Sequence, residues 1–306
     1  MHVLVAGGAG FIGSHFVDHL LENTPHRVTT LDALTYAGRK ANLDDALEHP
    51  RHRFVEGDVR DDTLVNAQLE TADVVVNCAA ETHVDRSIES TERFVSTNVQ
   101  GTETLLRSSL ETDLERFVQV STDEVYGETV EGSFSEADPL APRNPYAATK
   151  ASADLLAQSY HETHGSPVVI VRPSNNYGPR QHEEKLIPKF ITRAMAVESL
   201  PVYGDGEHVR EWTYVKDTCR AIETVIANGT AGGVYNVGSG VEHRNIDLTR
   251  TIVDEVGGSR DRIEFVEDRP GHDRRYALDT TKIESLGWSP AWTFEEGLRE
   301  TIDYYE

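Results

Sequence analysis

Residues 2–13 read HVLVAGGAGFIG, an apolar run followed at once by glycines in the spacing G-x-x-G-x-x-G, at Gly7, Gly10 and Gly13. The run predicts a buried strand, and the apolar periodicity that continues to residue 21 predicts a helix. A second apolar run, RVTTL at 27–31, completes a β-α-β unit. Glycines at this turn let the backbone approach a pyrophosphate at the helix N-terminus. The stretch therefore predicts a dinucleotide-binding unit.

An acidic residue, Asp32, follows the second strand of this unit. A carboxylate at that position accepts hydrogen bonds from the adenosine ribose and repels a 2′-phosphate, so NAD is favoured over NADP as the cofactor. The alternative is purely structural: glycines that make a tight turn and an aspartate that caps the next element.

Further apolar runs alternate with helical patterns: HRFVE at 52–56, DVVVNC at 73–78, RFVQVS at 116–121 and VVIVR at 168–172. Such runs are typical of strands in a parallel sheet that helices cover on both faces. The predicted fold class is α/β, a Rossmann-like doubly wound parallel sheet with a smaller, discontinuous C-terminal substrate domain. We expect the NAD-binding domain over 1–173, a return segment over about 213–238, and the second domain over 174–306.

Composition excludes several classes of function. The 306 residues carry a formal charge of -23, from 52 acidic against 29 basic residues, so nucleic acid and anionic membranes are not expected partners. No apolar run of about 18 residues and no basic leader occur, so neither a membrane span nor a signal peptide is predicted. Cys78 and Cys219 lack metal-ligand spacing, which predicts a reduced, cytoplasmic protein without a metal site.

The acidity itself is interpreted as a solvated surface, since no run of five or six like charges appears. Such a surface suits a salt-rich cytoplasm, where the Debye length of about 3 Å at 1 M salt screens most self-repulsion. We therefore expect stability to rise with salt.

A second stretch, STDEVYG at 121–127, places a hydroxyl and two carboxylates, Thr122, Asp123 and Glu124, after a predicted strand. Successive strand residues point to opposite faces, so both acids face one substrate only if the chain has left extended geometry there. Neighbouring carboxylates couple, and one of them is expected to hold a proton near neutral pH. This pattern indicates an acid and a base side by side, although surface acids are the alternative in so acidic a chain.

Tyr146 and Lys150 share one face of the next predicted helix. A phenol with an ordinary pKa of about 10 acts as a base only with help, and we expect the ammonium and an oxidised nicotinamide to lower the pKa of Tyr146. Tyr-x-x-x-Lys alone is common by chance. In a chain that also has a dinucleotide-binding glycine turn, the Tyr-x-x-x-Lys motif predicts hydride transfer.

With these motifs the chain resembles the extended short-chain dehydrogenases/reductases and, among them, the dTDP-glucose 4,6-dehydratases. The matching stretches include GGAGFIGS, THVDRS at 82–87, STDEVYG, RPSNNYGPRQ at 172–181, LPVYGDGEHVREW at 200–212 and RPGHDRRYALD at 269–279. They extend over almost the whole chain. The Thr-Asp-Glu triplet is the specific part, because related sugar epimerases and decarboxylases lack that acid-base pair.

The resemblance implies a mechanism and a set of contacts. Tyr146, aided by Lys150, would take the C4 hydroxyl proton, Glu124 would remove the C5 proton, Asp123 would protonate the departing C6 hydroxyl, and Thr122 would bind the sugar near C4. The implied NAD contacts also include Gly7, Gly10, Phe11, Ile12, Gly13, Asp32, Leu34, Thr35, Asp58, Val59, Ala79, Ala80, Glu81, Thr97, Tyr146, Lys150 and Asn176. The implied substrate contacts are Thr82, Thr122, Asn175, Glu184, Lys185, Leu186, Pro201, Val202, Tyr203, Arg210, Asn245, Arg269 and His272.

The resemblance also implies a homodimer, formed by helices over about 92–111 and 146–162. Two alternatives for the function stay open at this point. A UDP-sugar 4-epimerase or UDP-glucuronate decarboxylase would also oxidise C4 but has no need of the Asp123 and Glu124 pair. A non-catalytic, NAD-sensing regulator would keep the glycine turn but has no need of Tyr146 and Lys150.

Overall fold

The computed structural model describes residues 1–306, and its centre is a seven-stranded parallel sheet. The chain forms twelve strands: β1 His2–Ala6, β2 Arg27–Asp32, β3 His52–Glu56, β4 Val74–Asn77, β5 Arg116–Val120, β6 Val168–Pro173, β7 Asn175–Tyr177, β8 Leu200–Tyr203, β9 Val209–Tyr214, β10 Val234–Val237, β11 Glu242–Arg244 and β12 Ile263–Val266. The large sheet has the order β10-β6-β5-β4-β1-β2-β3, and all its pairs are parallel. This arrangement confirms the predicted Rossmann-like fold class.

The chain also forms twelve helices of very different lengths. They are α1 Phe11–Asn23, α2 Asp44–Leu47, α3 Asp62–Leu69, α4 Val84–Glu89, α5 Glu92–Phe94, α6 Gly101–Ser109, α7 Pro145–His164, α8 Leu186–Met195, α9 Val215–Asn228, α10 Asn245–Glu255, α11 Thr281–Glu284 and α12 Phe294–Tyr305. A π-helical segment, Val95–Gln100, joins α5 to α6. The longest helix, α7, begins at an Asn144 cap with proline in its first turn and ends at Gly165 in the left-handed region. None of these helices is long and apolar enough to cross a membrane.

Both faces of the large sheet are buried, because strand residues point alternately to opposite sides. In β1, Val3 and Val5 belong to a core of 41 buried residues that also takes in side chains of α1 and α9. Leu4 and Ala6 point the other way, into a second core of 16 buried residues under α3, α6 and α7. The strands are therefore almost continuously apolar because helices cover the sheet on both faces.

The strand order reverses between β1 and β4, which are neighbours although two strands separate them in sequence. At such a switch point the connections leave in opposite directions and a crevice opens at the carboxyl ends of the strands. The remaining strands form two small sheets, β11-β9-β7 and β12-β8, beside this crevice. The chain enters the first small sheet directly from β6 and returns to the large sheet through α9 and β10.

A buried ion pair lies under the crevice. Nε of Arg172 donates to Oδ2 of Asp154 at 2.9 Å, and both side chains are at most 2% exposed. Asp154 is one helical turn after Lys150 on α7, and burial raises the pKa of the Asp154 carboxyl, opposed by Arg172. The pair links α7 to β6 where no water can replace either partner.

Replacing Asp154 by Asn is expected to lower the free energy of unfolding by about 3–5 kcal/mol, because it leaves the Arg172 guanidinium buried without a countercharge. Urea denaturation followed by circular dichroism measures this change. The control is Asp254→Asn, which breaks an exposed pair with Arg260 and is expected to leave the midpoint unchanged. Equal midpoints for the two variants would contradict the interpretation.

Candidate active site

Three adjoining cavities form one groove along the carboxyl edge of the large sheet. The sheet-side cavity, of about 430 Å³, lies over β1, β2 and β4. The central cavity, of about 220 Å³, shares Gly7 and Gly10 with it. The outer cavity, of about 270 Å³, shares Glu124, Asn175 and Lys185 with the central one. Two extended ligands can therefore lie end to end along this edge.

In the glycine turn between β1 and α1, backbone segments lie closer together than a side chain would permit. Gly7 has φ +74°, and a Cβ there would lie 2.6 Å from the amide nitrogen of Ala79. A Cβ at Gly13 would lie 2.3 Å from the carbonyl oxygen of Gly7. The turn lines both the central and the sheet-side cavity at the start of α1, where backbone N–H groups suit a pyrophosphate.

Asp32 lies at the end of β2 and is only 8% exposed. Its Oδ2 accepts from the amide of Ala9 at 2.9 Å, and its Oδ1 accepts from the amide of Leu34 at 2.8 Å. Burial raises the pKa of this carboxyl, and those backbone hydrogen bonds oppose the shift. A carboxylate can accept about four hydrogen bonds, so acceptor capacity remains for ribose hydroxyls.

The structure brings nearly all of the predicted cofactor residues to the groove. The sheet-side cavity is lined by Gly7, Gly10, Asp32, Thr35, Asp58, Val59, Ala79, Ala80, Glu81 and Thr97. The central cavity is lined by Phe11, Ile12, Gly13, Tyr146, Lys150 and Asn176 as well as by shared residues. Leu34 lines neither cavity; its side chain packs against the larger core and its amide holds Asp32. The groove thus fits a dinucleotide, with the glycine cradle at its middle.

Gly13→Ala is expected to reduce the dinucleotide content of the purified protein at least tenfold, a loss of about 1.4 kcal/mol or more. The physical reason is that the new methyl group must push the Gly7 carbonyl out of the turn. Chromatography of the nucleotide released by denaturation measures the content. Gly258→Ala, where the nearest atom is 3.4 Å away, is the control, and equal contents in the two variants would contradict the prediction.

The acid pair lies side by side because the chain leaves extended geometry directly after β5. Residues Asp123–Tyr126 form a 3-10 helix. Both acids can face one substrate only if the chain leaves extended geometry in this way. The Thr122 hydroxyl accepts from the amide of Glu124 at 3.3 Å and donates to Oδ1 of Asp123 at 3.1 Å. Asp123 is 1% exposed, and its Oδ2 has no partner. Burial first, then the charges of Glu124 and Glu211, raise the pKa of Asp123 well above its usual value.

Glu124 is held by a residue that sequence reasoning missed. Nδ2 of Asn144 donates to Oε2 of Glu124 at 3.0 Å, while Oδ1 of Asn144 accepts from the amide of Ala147 at 2.9 Å. One side chain thus caps α7 and orients a carboxylate that lines both the central and the outer cavity. The Asn-Pro pair before Tyr146 is a helix-start pattern that could have predicted the cap.

Tyr146 and Lys150 both line the central cavity, one turn apart on α7. Burial, then the charges of Glu124 and Asp123, raise the pKa of Tyr146 well above its usual value. Nζ of Lys150 donates to the carbonyl of Val120 at 2.6 Å, and burial lowers the pKa of the ammonium, opposed by Asp154. The expected lowering of the Tyr146 pKa involves an oxidised nicotinamide as well as Lys150, and it stays a prediction.

The outer cavity combines fixed cations with a buried carboxylate, Glu184, whose Oε2 lies 3.5 Å from Nη2 of Arg86. Nζ of Lys185 donates to the carbonyl of Thr82 at 2.7 Å. The guanidinium of Arg210 lies 4.4 Å from the centre of the Tyr276 ring, and it donates to the carbonyl of Asp273 at 2.8 Å. Both carboxylate oxygens of Glu184 are buried without a hydrogen-bond partner. These groups suit a ligand that carries a diphosphate and several hydroxyls.

All of the predicted substrate residues lie on the groove. The outer cavity is lined by Asn175, Glu184, Lys185, Leu186, Pro201, Val202, Tyr203, Arg210, Asn245, Arg269 and His272, and the central cavity by Thr82 and Thr122. The outer cavity also includes residues that were not predicted, among them His83, Asp85 and Lys189. Nothing in their spacing distinguishes these three from ordinary surface residues.

The comparisons with known proteins agree with this geometry. The family model described as GDP-mannose 4,6 dehydratase matches residues 4–301. A Haloferax volcanii protein named low-salt glycan biosynthesis protein Agl12 is 63% identical over 305 residues, which cover 100% of this chain and 98% of the relative. A dTDP-glucose 4,6-dehydratase from Actinoplanes sp. is 48% identical, covering 100% of this chain and 98% of the relative.

A solved structure shows the same likeness in three dimensions. DesIV, a dTDP-glucose 4,6-dehydratase from Streptomyces venezuelae with NAD and TYD bound, superposes with a TM-score of 0.98 at 50% identity. The match covers 100% of this chain and 97% of that one. The glycine cradle, Asp32 and the Tyr146-Lys150 pair fit NAD as the cofactor. Fold, site and relatives together place this chain in the GDP-mannose 4,6-dehydratase family of extended short-chain dehydrogenases/reductases.

Proposed function

We propose that the protein is an NAD-dependent dTDP-glucose 4,6-dehydratase, which converts the nucleotide sugar to its 4-keto-6-deoxy product by removing water across C5 and C6. The observation that carries this proposal is the pair of unlike carboxyls, Asp123 and Glu124, in the same cavity as Tyr146. A dehydrogenase that does not eliminate water from its substrate needs no such acid-base pair. Dehydratases named for dTDP-glucose among the relatives support the choice of substrate.

NAD, when bound, would supply the hydride acceptor for C4 and the hydride for C6, and the positive charge of its oxidised nicotinamide ring would favour the Tyr146 phenolate. The glycine turn, Asp32 and the residues of the sheet-side cavity would hold it. Tyr146 accepts the proton of the C4 hydroxyl, and Thr122 bonds the sugar beside it. Lys150 holds the end of β5 through Val120 and lines the same cavity as the phenol.

The two acids then divide the elimination between them. A C4 ketone makes the C5 proton acidic, and Glu124, oriented by Asn144, accepts that proton. Asp123 is the buried acid whose pKa is raised, which favours its protonated form, and it donates to the departing C6 hydroxyl. The burial of Asp123 and the contact of Glu124 with Asn144 support the role of acid for Asp123 and of base for Glu124.

The direct test is incubation of the purified protein with dTDP-glucose or UDP-glucose, without added NADH. Alkali-dependent absorbance of a 4-keto-6-deoxy sugar is expected with dTDP-glucose. Its absence with both substrates would refute the dehydratase function. Release of a C4 epimer of the intact sugar would instead identify an epimerase, and unchanged substrate beside bound NAD would identify a regulator.

We propose that the dinucleotide-binding domain spans 1–173 with the return segment 213–238, and that the nucleotide-sugar domain comprises the rest of 174–306. The dimer expected from the resemblance would use the helices over about 92–111 and 146–162. In support, three large apolar side chains on that surface are exposed in the single chain, namely Val95 at 48%, Leu110 at 38% and Leu155 at 56%. Sedimentation of the purified protein tests the dimer.

The acidic surface leads to a proposal about the working environment, a salt-rich cytoplasm. The melting temperature is expected to rise between low and molar KCl, because salt screens the repulsion among charges that sum to -23. Thermal unfolding in a series of KCl concentrations measures the melting temperature. A melting temperature that does not change with KCl would contradict it. We also propose that the product serves glycan biosynthesis, which the name of the Haloferax volcanii relative, low-salt glycan biosynthesis protein Agl12, supports.

A further inference from the structure

A tyrosine from the loop after β2 is held by side chains and backbone of two other segments. The ring of Tyr36 meets the ring of His182 edge-on, with 5.4 Å between the ring centres and 75° between the planes. The guanidinium of Arg86 lies 4.6 Å from the centre of the Tyr36 ring. The Tyr36 hydroxyl accepts from the amide of Thr82 at 3.4 Å. We refer to these four residues as the tyrosine bridge.

The partners of Tyr36 are also connected to each other. Arg86 lies on α4, whereas His182 lies on the loop between β7 and α8. Glu184 joins the two, because its carboxylate lies 3.5 Å from the Arg86 guanidinium and its amide donates to Nδ1 of His182 at 3.3 Å. The contacts therefore close into a ring, and Tyr36 is the member that comes from the loop after β2.

The bridge crosses the groove where the sheet-side cavity meets the central cavity. The two cavities share five residues, namely Gly7, Gly10, Ala37, Cys78 and Ala80. Four of these belong to the turns after β1 and β4, and only Ala37 comes from the loop that carries Tyr36. Tyr36 lines the sheet-side cavity and His182 the central one, so their contact spans the junction. Because a pyrophosphate suits the glycine turn, the middle of a dinucleotide would lie at this junction.

The loop that carries Tyr36 is fixed at both ends and is held at its tip by the bridge. At its start, Leu34 has φ +48°, in the left-handed region that a leucine rarely adopts. At its end, the amide of Arg39 donates to the carbonyl of Ala9 at 3.0 Å. Between these points, the only hydrogen bonds of residues 35–38 are those of the Tyr36 hydroxyl. Loss of the bridge would therefore free the tip and leave the two ends in place.

The contacts of the bridge join groups of the protein to each other. Breaking them therefore costs the same free energy when a dinucleotide enters the groove as when it leaves. Such a barrier slows association and dissociation alike and leaves the affinity almost unchanged. A side chain that contacted only the cofactor would instead slow dissociation alone. The two cases can be separated by measuring both rate constants.

We propose that the tyrosine bridge is a gate on the cofactor groove, in which Tyr36 is a positioning residue that holds its loop closed, so that NAD is exchanged slowly in both directions. Slow exchange suits the proposed reaction, which returns the hydride within each turnover and needs no second dinucleotide. The inference needs NAD as the cofactor but does not depend on which sugar is turned over.

Isotope exchange on the NAD-loaded protein measures the gate. The protein is mixed with an excess of deuterium-labelled NAD, and mass spectrometry of the bound fraction gives koff. Equilibrium dialysis against graded NAD gives Kd, and kon follows as koff/Kd. Tyr36→Ala is expected to raise both rate constants about tenfold and to keep Kd within about threefold of the parent, because a cation–π contact and an aromatic pair are lost together.

Further variants test the bridge from its other members. Tyr36→Phe keeps both ring contacts and should exchange NAD within about threefold of the parent rate. His182→Ala removes the ring contact from the opposite side and should raise both rate constants about threefold, which keeps the test decisive even where Tyr36→Ala does not fold. Tyr304→Ala is the control and should exchange at the parent rate, because Tyr304 is 51% exposed and lines none of the three cavities of the groove.

Several results would overturn the proposal. One is an unchanged exchange rate in both Tyr36→Ala and His182→Ala. Another is a rise in koff matched by an equal rise in Kd, since that result identifies a direct cofactor contact and no gate. A parent protein that takes up no NAD would overturn the gate together with the cofactor. Exchange as predicted, in a protein that forms no 4-keto-6-deoxy sugar, would support the gate and refute the proposed function alone.

Discussion

Replacing Glu124 by Gln is expected to lower kcat by about 10²- to 10⁴-fold, because the amide cannot accept the C5 proton. The substitution keeps the shape of the side chain and an oxygen that can still accept from Asn144. Folding and nucleotide binding should therefore be retained. Turnover is measured from the alkali-dependent absorbance of the 4-keto-6-deoxy product.

Exchange of the C5 hydrogen with deuterated water isolates the step. In Glu124→Gln, dTDP-glucose recovered after incubation should contain no deuterium at C5, as mass spectrometry reports. In Asp123→Asn, product should also be lost, but deuterium should enter C5, since the base is intact and only the acid for the C6 hydroxyl is missing. Glu131→Gln, an exposed glutamate in the following loop, is the control. Deuterium at C5 in Glu124→Gln at the parent rate would refute the assignment of the base.

Replacing Tyr146 by Phe is expected to have an effect of similar size, about 10²- to 10⁴-fold on kcat, because the phenyl ring has no oxygen to accept the C4 proton. Neither product nor C5 deuterium should form, since both depend on the C4 ketone. Binding of thymidine diphosphate should be unchanged. Tyr160→Phe is the matched control, because Tyr160 lies on the same helix and lines none of the three cavities.

The pH dependence of the same step tests the electrostatics around Tyr146. The charge of Glu124 raises the pKa of Tyr146, so Glu124→Gln should lower that pKa. The rate of C4 oxidation rises with pH as the phenolate forms, and in Glu124→Gln this rise should occur at lower pH. Single-turnover absorbance of the reduced nicotinamide follows the step. A rise that moves to higher pH would contradict the assigned interaction.

Much of the site was visible in the sequence because its parts are local. The glycine turn and Asp32 follow consecutive strands, and the carboxyl ends of parallel strands meet at one edge. Asp123 and Glu124 are adjacent, and Tyr146 and Lys150 are one helical turn apart. In each case a short-range geometric rule places the side chains before any tertiary contact is known.

Other features depended on contacts between distant segments. Asn144 approaches Glu124 across 20 residues, and Lys185 reaches the carbonyl of Thr82 across 103 residues. The contact between Lys150 and the carbonyl of Val120 could not be predicted either, because spacing on a helix does not show which backbone acceptor the ammonium meets.

By itself, the sequence determined the fold class, the cofactor type and the residue types of the chemistry, because periodicity, glycine spacing and adjacency act over one or two elements. Only the tertiary structure decided that Asp123 is the more deeply buried carboxyl, that its pKa is raised, and that Asn144 orients Glu124. Those properties depend on desolvation and on charges brought together by packing, and both arise only when separate elements exclude water between them.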